Sequence, residues 1–278
     1  MVAKQLFPTF SKHAIFDTEN IPFSAASYSR FKFGDGEIAQ QFGEELAYAF
    51  IDAYNIELLT ENEIVLIASP YNSIPTASFA MASHFKRVVN HFLYQNNRNA
   101  LLESKIHRYK TYSEDYGSMS YAERVALISS DTYHLDKTFL KNRWCLFVDD
   151  IKITGSHEYV ICKQIAEKNM KTNAIFLYYA ILQNAEIPPH FENFLNYYEV
   201  KNIHDLVNII NNPTFVLNTR TIKYLLTLSQ AELKYLIESV SIQQLYLIVN
   251  QAISNNYHLM EVYKNNLSHI IHSKKYGN

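Results

Sequence analysis

The sequence predicts an α/β fold, with a mainly parallel β-sheet flanked by helices and an α-helical C-terminal region. Three short runs rich in β-branched and aromatic residues, at residues 64–68, 144–148 and 174–182, have the length and continuous apolarity of central parallel strands. Apolar residues at helical spacing follow the first two runs, at residues 76–92 and 158–168. The order strand, helix, strand favours parallel pairing, because a crossover helix returns the chain to the same end of the sheet.

Two further segments complete the predicted α/β part. Residues 43–54 carry apolar side chains at helical spacing and predict a helix before the first strand. Residues 103–141 are polar and predict a long excursion with one hairpin. A loop of this length inside a compact domain is typical of a lid over a site.

Two consecutive prolines mark the predicted domain boundary. Pro188 and Pro189 interrupt the pattern after the third strand, and the sequence is helical from residue 219 onward, with a capping-box match at residues 229–232. We therefore expect an α/β domain at residues 1–187 and a helical region at residues 188–278. The apolar stripes of this region predict a core or a homodimer face, and we expect the region as a whole to cap the binding crevice or to mediate dimerisation.

Composition excludes several classes of protein. With 25 Lys and Arg against 27 Asp and Glu, the formal net charge is -2, which argues against non-specific nucleic-acid binding. The two cysteines, Cys145 and Cys162, lie among apolar residues and predict buried thiols in a reducing compartment, hence a cytoplasmic protein. The longest strongly apolar run, residues 174–182, is too short to cross a bilayer. Zinc, dinucleotide and P-loop motifs do not occur in the sequence.

The most informative stretch is WCLFVDDIKITGSHE, residues 144–158. An apolar strand ends in Asp149 and Asp150, and a short loop with Gly155 then enters a helix for which Ser156 is the expected N-cap. The start of such a helix attracts anions, and the carboxyl edge of a parallel sheet is where ligands bind. Acids beside a phosphate loop fit a phosphorylated sugar, whose hydroxyls or accompanying divalent cation they would bind. The alternative is an ordinary strand-to-helix turn that binds no ligand and whose two acids are exposed to solvent.

This stretch resembles the ribose-5-phosphate motif of type I phosphoribosyltransferases. The resemblance implies that Asp149 and Asp150 bind the ribose hydroxyls of phosphoribosyl pyrophosphate, and that Mg²⁺ arrives with that substrate near the two acids. The phosphate loop would consist of Ile153, Thr154, Gly155, Ser156 and His157. Ile153 stands where many members have Thr or Asp, and His157 stands where a Thr or Ser hydroxyl is usual.

Three other segments resemble parts of the same family. The family's pyrophosphate loop corresponds to Ser69, Pro70, Tyr71, Asn72 and Ser73, with Asn72-Ser73 in place of the usual glycines. Residues 31–36 resemble the substrate-side loop of orotate phosphoribosyltransferases. In the lid, Arg108 and Lys110 are candidates to cover the pyrophosphate, with a solvated basic face as the alternative.

The chain is most similar to divergent phosphoribosyltransferase-like proteins of tellurite-resistance-type stress gene clusters. The resemblance implies an Mg²⁺-dependent transfer of phosphoribosyl from phosphoribosyl pyrophosphate to a nitrogenous base or related small-molecule acceptor. A non-catalytic regulator that binds phosphoribosyl pyrophosphate or a nucleotide is the alternative. A helical interaction scaffold is a third interpretation, but it does not explain the presence of Asp149 and Asp150.

Overall fold

The computed structural model describes residues 7–108, 133–273 and 275–276. Its strands are β1 Thr9–Ile15, β2 Ile64–Tyr71, β3 Leu102–Arg108, β4 Tyr133–His134, β5 Trp144–Lys152 and β6 Asn173–Leu182. The helices of the α/β part are α1 Ala25–Lys32, α2 Gly36–Thr60, α3 Ala77–Gln95, α4 Lys137–Leu140 and α5 Ser156–Glu167. The helices that follow are α6 Phe191–Asn196, α7 Ile203–Ile210, α8 Thr219–Leu226, α9 Gln230–Ser239, α10 Ile242–Ser254 and α11 Glu261–Ile271.

The six strands form one sheet in the order β1-β6-β5-β2-β3-β4. Every neighbouring pair is parallel except β3 and β4, which are antiparallel. The predicted fold class, a mainly parallel sheet flanked by helices, is confirmed. Strand β5 lies between β6 and β2, so its carboxyl end opens at the middle of the sheet edge, where parallel sheets bind their ligands.

Strand β5 is buried on both faces, which explains its continuous apolar run. Leu146 and Val148 belong to the core under α2 and α3, whereas Cys145 and Phe147 belong to the core on the α5 face. Alternate side chains of a strand point to opposite faces, so every position of this run meets a core.

Residues 103–141 are predicted as a long excursion with one hairpin, and the described parts of this segment include two strands of the sheet. It begins within β3, which pairs in parallel with β2, and β4 then pairs antiparallel with β3. In β3 only Ile106 is fully buried, so this outer strand has no apolar run in the sequence. Lys110 lies outside the described residues, as does the rest of the range 109–132.

The helices after β6 have a core of their own, to which Leu206, Ile222, Leu236 and Ile248 belong. The capping box at the start of α9 is present as predicted. Helix α6 instead packs in the core of the sheet, so the division at residues 187/188 stays a prediction. Among the described residues, no helix has the length and apolarity needed to cross a membrane.

Glycines allow the two parts to approach closely. A Cβ atom on Gly36, at the start of α2, would lie 2.0 Å from the backbone oxygen of Thr214. The neighbouring Gly34 accepts a 2.9 Å hydrogen bond from the amide of Val216. Residues 31–36, predicted as a substrate-side loop, comprise the end of α1 and the turn into α2. This turn packs directly against residues 214–216, which precede α8.

Candidate functional site

A cavity of about 370 Å³ opens at the carboxyl ends of β2 and β5, between the sheet edge and the C-terminal helices. Most of the site residues predicted from the sequence lie around it. Those that line it are Ser69, Pro70, Arg108, Asp149, Asp150, Ile153, Thr154, Gly155, Ser156 and His157.

Three predicted pyrophosphate residues lie elsewhere: Tyr71, Asn72 and Ser73 are absent from the described lining. The ammonium of Lys105 lies 3.8 Å from the centre of the Tyr71 ring and donates a 2.6 Å hydrogen bond to the backbone oxygen of Asn72. The amide of Ser73 donates to Oδ1 of Asn255 at 3.1 Å. Instead of these residues, the start of α3 reaches the cavity.

Asp150 is buried and is held from α1. Its Oδ2 accepts a 2.8 Å hydrogen bond from the Tyr28 hydroxyl and forms an ion pair with the Lys32 ammonium. Burial raises the pKa of Asp150 above its ordinary value; Lys32 opposes this rise and the adjacent Asp149 adds to it. Burial and the charge of Asp150 also raise the pKa of Tyr28, so the phenol keeps its proton and remains a donor.

Asp149 faces the loop that follows β5. Its Oδ2 lies 3.3 Å from Nδ1 of His157, and its Oδ1 accepts a 2.9 Å hydrogen bond from the backbone amide of Asp150. Burial alone would raise the pKa of Asp149, but its hydrogen bond to His157 and the His157 charge outweigh that effect and lower it. The two adjacent acids therefore differ, with Asp149 the more strongly ionised.

The loop itself turns at Gly155, which has the left-handed values φ 70° and ψ 13°. Gly155 is the N-cap of α5, and Ser156, which was expected there, is the first helical residue. Because a glycine has no side chain, the start of α5 has no side-chain cap, and this end of the helix lines the cavity. The Thr154 and Ser156 hydroxyl oxygens lie 3.0 Å apart beside it. An uncapped helix start with neighbouring hydroxyls is suited to an anion.

The sequence profile of the PRTase ComF-like family matches residues 6–270. The chain belongs to that family. A comparison with curated proteins found no match.

Several solved structures are similar to this PRTase ComF-like chain. Hypoxanthine phosphoribosyltransferase from Staphylococcus aureus is 10% identical, with TM-score 0.33, over 51% of this chain and 74% of that one. Hypoxanthine-guanine phosphoribosyltransferase from Schistosoma mansoni, in complex with IMP, is 12% identical, with TM-score 0.31, over 54% and 68%. Purine phosphoribosyltransferase from Pyrococcus horikoshii is 14% identical, with TM-score 0.29, over 53% and 79%. Since every TM-score is below 0.5, these likenesses do not bear on the substrate.

The opposite wall of the cavity comes from the C-terminal helices of this PRTase ComF-like protein. Its charged members are Glu192 of α6 and Arg220 and Lys223 of α8, and its aromatic members include Tyr197 and Tyr224. Sequence reasoning missed these residues, because they lie in or just after helices that carry no motif.

Tyr28 and Lys32 were missed as partners of Asp150, although residues 31–36 had been singled out. They lie four positions apart on α1 and therefore share a helix face, which is the one available signal. Nothing in the sequence connects that face with an acid 118 positions from Lys32.

The acid pair is chemically suited to Mg²⁺. Carboxylate oxygens are the ligands this ion prefers, and in phosphate-handling proteins one or two carboxylates usually share it with the substrate's phosphates. Among the described residues, no group of three or more His, Cys, Asp and Glu side chains could hold a metal ion. By the chemistry of their side chains, Asp149 and Asp150 are the residues that could hold such an ion together with the phosphates of a bound ligand.

Proposed function

We propose that this protein is a phosphoribosyltransferase that transfers phosphoribosyl from phosphoribosyl pyrophosphate to a nitrogen of a base or related acceptor, with release of pyrophosphate. One observation carries the proposal: Asp150, which is buried, and Asp149, which is partly exposed, lie at the carboxyl end of the central strand and share one cavity with the start of α5, which has no side-chain cap. Sugar hydroxyls and a phosphate are the ligands that these two features recognise. Membership in the PRTase ComF-like family supports the same function.

Each side of the cavity has a role in this reaction. Asp149 and Asp150 would accept hydrogen bonds from the ribose hydroxyls, and residues 153–157 would bind the 5'-phosphate. Ser69, Pro70 and Arg108, which line the neighbouring side, would face the leaving pyrophosphate.

The reaction breaks the bond between the ribose C1 and the pyrophosphate oxygen, and the electron pair leaves with pyrophosphate. The acceptor nitrogen supplies the pair for the new bond to C1, and an acceptor that carries a proton on this nitrogen releases it to water. Because positive charge develops on the ribosyl centre, nearby carboxylates stabilise it, and fixing the sugar reduces the entropy lost on reaching the transition state. Mg²⁺, when bound, would neutralise charge on the pyrophosphate.

A second candidate is a regulator that binds phosphoribosyl pyrophosphate or a nucleotide without turnover. One specific observation favours it: the amide of Ser73, in the predicted pyrophosphate loop, already donates to Asn255. A site with fewer groups to stabilise the leaving pyrophosphate would bind phosphoribosyl pyrophosphate without transferring its phosphoribosyl group.

The first test is isothermal titration with phosphoribosyl pyrophosphate and Mg²⁺. We expect micromolar binding by the natural protein and a loss of tenfold or more in Asp149→Asn, which keeps the shape of the side chain but removes its charge. Asp52→Asn, an exposed acid on α2, is the matched control and should bind normally. Absence of binding by the natural protein would reject both candidates.

The second test is a pyrophosphate-release assay over a panel of nitrogenous bases. Release with any base, abolished in Asp149→Asn, supports the transferase. Binding without release on the whole panel supports the regulator instead. The link to tellurite-resistance-type stress gene clusters, the cytoplasmic location and the homodimer stay predictions from the sequence.

A further inference from the structure

We propose that Tyr28 and Lys32 of α1 are positioning residues for the sugar, and that through Asp150 they make the cavity select a ribose over a deoxyribose. The inference rests on the proposed function, because Asp150 meets a ribose hydroxyl only if a phosphoribosyl ligand occupies the cavity. It goes further by giving a role to a helix that is distant in sequence from the acid pair and the phosphate loop.

Both side chains contact Asp150 from one face of α1. Tyr28 and Lys32 are four positions apart, so they are neighbours on the helix surface. The Tyr28 hydroxyl donates a 2.8 Å hydrogen bond to Oδ2 of Asp150, and the Lys32 ammonium forms an ion pair with the same oxygen. The last torsion of an aspartate side chain is broad by itself, so these contacts are what fix the plane of the carboxylate. A carboxylate accepts about four hydrogen bonds, which leaves capacity for a ligand hydroxyl.

Burial separates the two partners of Asp150. Lys32 lines the cavity together with Asp150. Tyr28 is fully buried in the core beneath and stands outside the described lining of the cavity. Its hydroxyl can therefore influence a ligand only through the carboxylate that it contacts, which is the definition of a positioning residue.

Helix α1 is itself fixed on two sides. The buried hydroxyl of Ser29 donates a 2.8 Å hydrogen bond to the backbone oxygen of Asn196 in α6. The ring of Tyr28 packs against the rings of Phe23 and Phe31, with centroids 5.7 and 6.0 Å away. The donors to Asp150 are therefore in place before a ligand arrives, as precise recognition of a ligand group requires.

The neighbouring acid is held in a different way. Asp149 contacts His157, which belongs to the predicted phosphate loop and follows the same strand. A phosphate bound at this loop would compete with Asp149 for His157, whereas the buried Tyr28 hydroxyl would stay on Asp150. Asp150 is therefore the acid whose position is independent of the phosphate loop, and we assign the selection of the sugar hydroxyl to it.

The chemistry of the contact makes the selection strong. A hydrogen bond from a hydroxyl to an ionised carboxylate is stronger than one between neutral groups. A site built to bind a hydroxyl rejects an analogue that lacks it, because the buried acceptor is then left without its partner. Misplacing the carboxylate forfeits this discrimination without affecting the recognition of the phosphate.

The test compares sugars that differ in one hydroxyl. Ribose 5-phosphate, 2-deoxyribose 5-phosphate and 3-deoxyribose 5-phosphate are titrated into the full chain by isothermal titration in EDTA, so that no divalent cation mediates the contact. We expect ribose 5-phosphate to bind at least tenfold more tightly than one or both deoxy sugars. Equal binding of all three, or no binding of ribose 5-phosphate, would overturn the inference.

Tyr28→Phe then assigns the preference to α1, because it removes the hydroxyl and keeps the ring. The preference for ribose should fall fivefold or more, while the affinity for the deoxy sugar changes by less than twofold. A merely structural role would weaken all of the sugars alike and leave their ratio unchanged. An unchanged ratio in this variant would therefore overturn the inference.

Lys32 is tested by a pair of variants. Lys32→Gln removes the charge and should also lower the preference fivefold or more. Lys32→Arg keeps the charge and a donor, and should retain at least half of the natural preference. A natural preference in Lys32→Gln would mean that Lys32 only fastens α1 to the sheet, and would overturn its positioning role.

Tyr179→Phe is the matched control. The Tyr179 hydroxyl also donates a 2.8 Å hydrogen bond to a carboxylate, that of Glu45, and its ring lies in the same core against Phe23. Because Tyr179 stands outside the described lining of the cavity, the preference for ribose should stay natural in this variant. An equal fall in Tyr179→Phe and Tyr28→Phe would trace the effect to the core and overturn the inference.

The outcomes separate this inference from the proposed function. If the natural protein binds and turns over phosphoribosyl pyrophosphate but shows no preference for ribose that depends on Tyr28, the inference fails and the proposed function stands. Failure of the natural protein to bind phosphoribosyl pyrophosphate with Mg²⁺ would reject both.

Discussion

Two strand-to-helix connections lie side by side at the carboxyl edge of the sheet and are used differently. One joins β5 to α5 and the other joins β2 to α3. Both follow a buried parallel strand, and both helices start without a side-chain cap hydrogen bond, at Gly155 and Thr76 respectively. By topology alone, the two connections are equally able to bind an anion.

Their surroundings differ in chemistry. At the first connection the contacts are ionic, since Asp149 meets His157 and Asp150 meets Lys32. At the second, the Lys105 ammonium donates to the backbone oxygen of Asn72, and neutral hydrogen bonds join Ser73 to residues 254–255 and Thr219 to residues 74–75. The first connection therefore has the greater share of ion pairs, whereas the second also fastens the C-terminal helices to the sheet.

The largest expected effect comes from breaking the ion pair beneath the first connection. Lys32→Met leaves Asp150 buried without its cation, and we expect the free energy of unfolding at pH 7 to fall by about 3 kcal/mol. Urea unfolding measures this change. The double variant Lys32→Met/Asp150→Asn removes both charges and should recover most of the loss. Equal stability of the single variant and the natural protein would mean that the pair is not held in the folded state.

The left-handed turn of the first connection gives the next largest effect. Gly155→Ala places a Cβ at φ 70°, 3.1 Å from the flexible end of Lys152, and should destabilise the fold by about 1–2 kcal/mol. Because the loop would bind the 5'-phosphate, we also expect a tenfold or greater loss of affinity for phosphoribosyl pyrophosphate. Thermal melting and titration measure the two effects separately.

Asn169 provides the matched control for that variant. It has φ 48°, is exposed and lies just beyond the end of α5, away from the cavity. Asn169→Ala should therefore destabilise the fold comparably while leaving the affinity unchanged. An equal loss of affinity in both variants would trace the Gly155 effect to general destabilisation.

The sequence predicted the strands that are buried on both faces, because burial on both faces requires apolar residues at every position. Strands β1 and β3 are only partly buried and so carried no such signal; in β3 the apolar Ile106 stands between Lys105 and His107. Strand β5 also continues past its apolar run, so that Asp149 and Asp150 lie within it. Hydrogen bonding to the neighbouring strand β6 extends it beyond the point where composition changes.

The site divides in the same way between local and distant contributions. Residues 149–157 are contiguous, so the order of residue types was enough to predict that they act together. Lys32 and Arg220 reach the same cavity from distant helices, and no local pattern relates them to it. Ser73 was predicted on resemblance, but its partner Asn255 lies 182 positions away, and only the packed structure brings them into contact.

A smaller effect is expected at the second connection. Asn255→Ala removes the acceptor of the Ser73 amide, and the free energy of unfolding should fall by about 1 kcal/mol, because the exposed Ser73 can then bind water. The affinity for phosphoribosyl pyrophosphate should change by less than threefold. Ser73→Ala keeps the hydrogen bond from the backbone amide of residue 73 to Asn255. It loses only the 2.9 Å hydrogen bond from the Ser73 hydroxyl to the backbone oxygen of Ser254, so it should lower the stability less. A tenfold change of affinity in either variant would return residues 72–73 to the ligand site.

The smallest effect is the pH dependence that Asp149 gives to the first connection. Its pKa in the folded state lies below the ordinary value of 3.8, so the ionised form stabilises the fold above that pH, and this contribution is lost as the pH falls through the folded-state pKa. The pKa of Asp150 shifts in the opposite direction, so its contribution is removed first. The variant Lys32→Met/Asp150→Asn is therefore compared with a protein that carries the same two changes and Asp149→Asn in addition.

The quantity to measure is the difference in the free energy of unfolding between those two proteins at several pH values. The reference value is taken at pH 5, where Asp149 is ionised in both the folded and the unfolded chain. By pH 3.5 the unfolded chain binds protons that the folded chain does not, and the stabilising contribution should be smaller by about 0.6 kcal/mol. A difference that stays constant to pH 3.5 would mean that His157 does not hold Asp149 ionised, and the ionic character of the first connection would then rest on Asp150 and Lys32 alone.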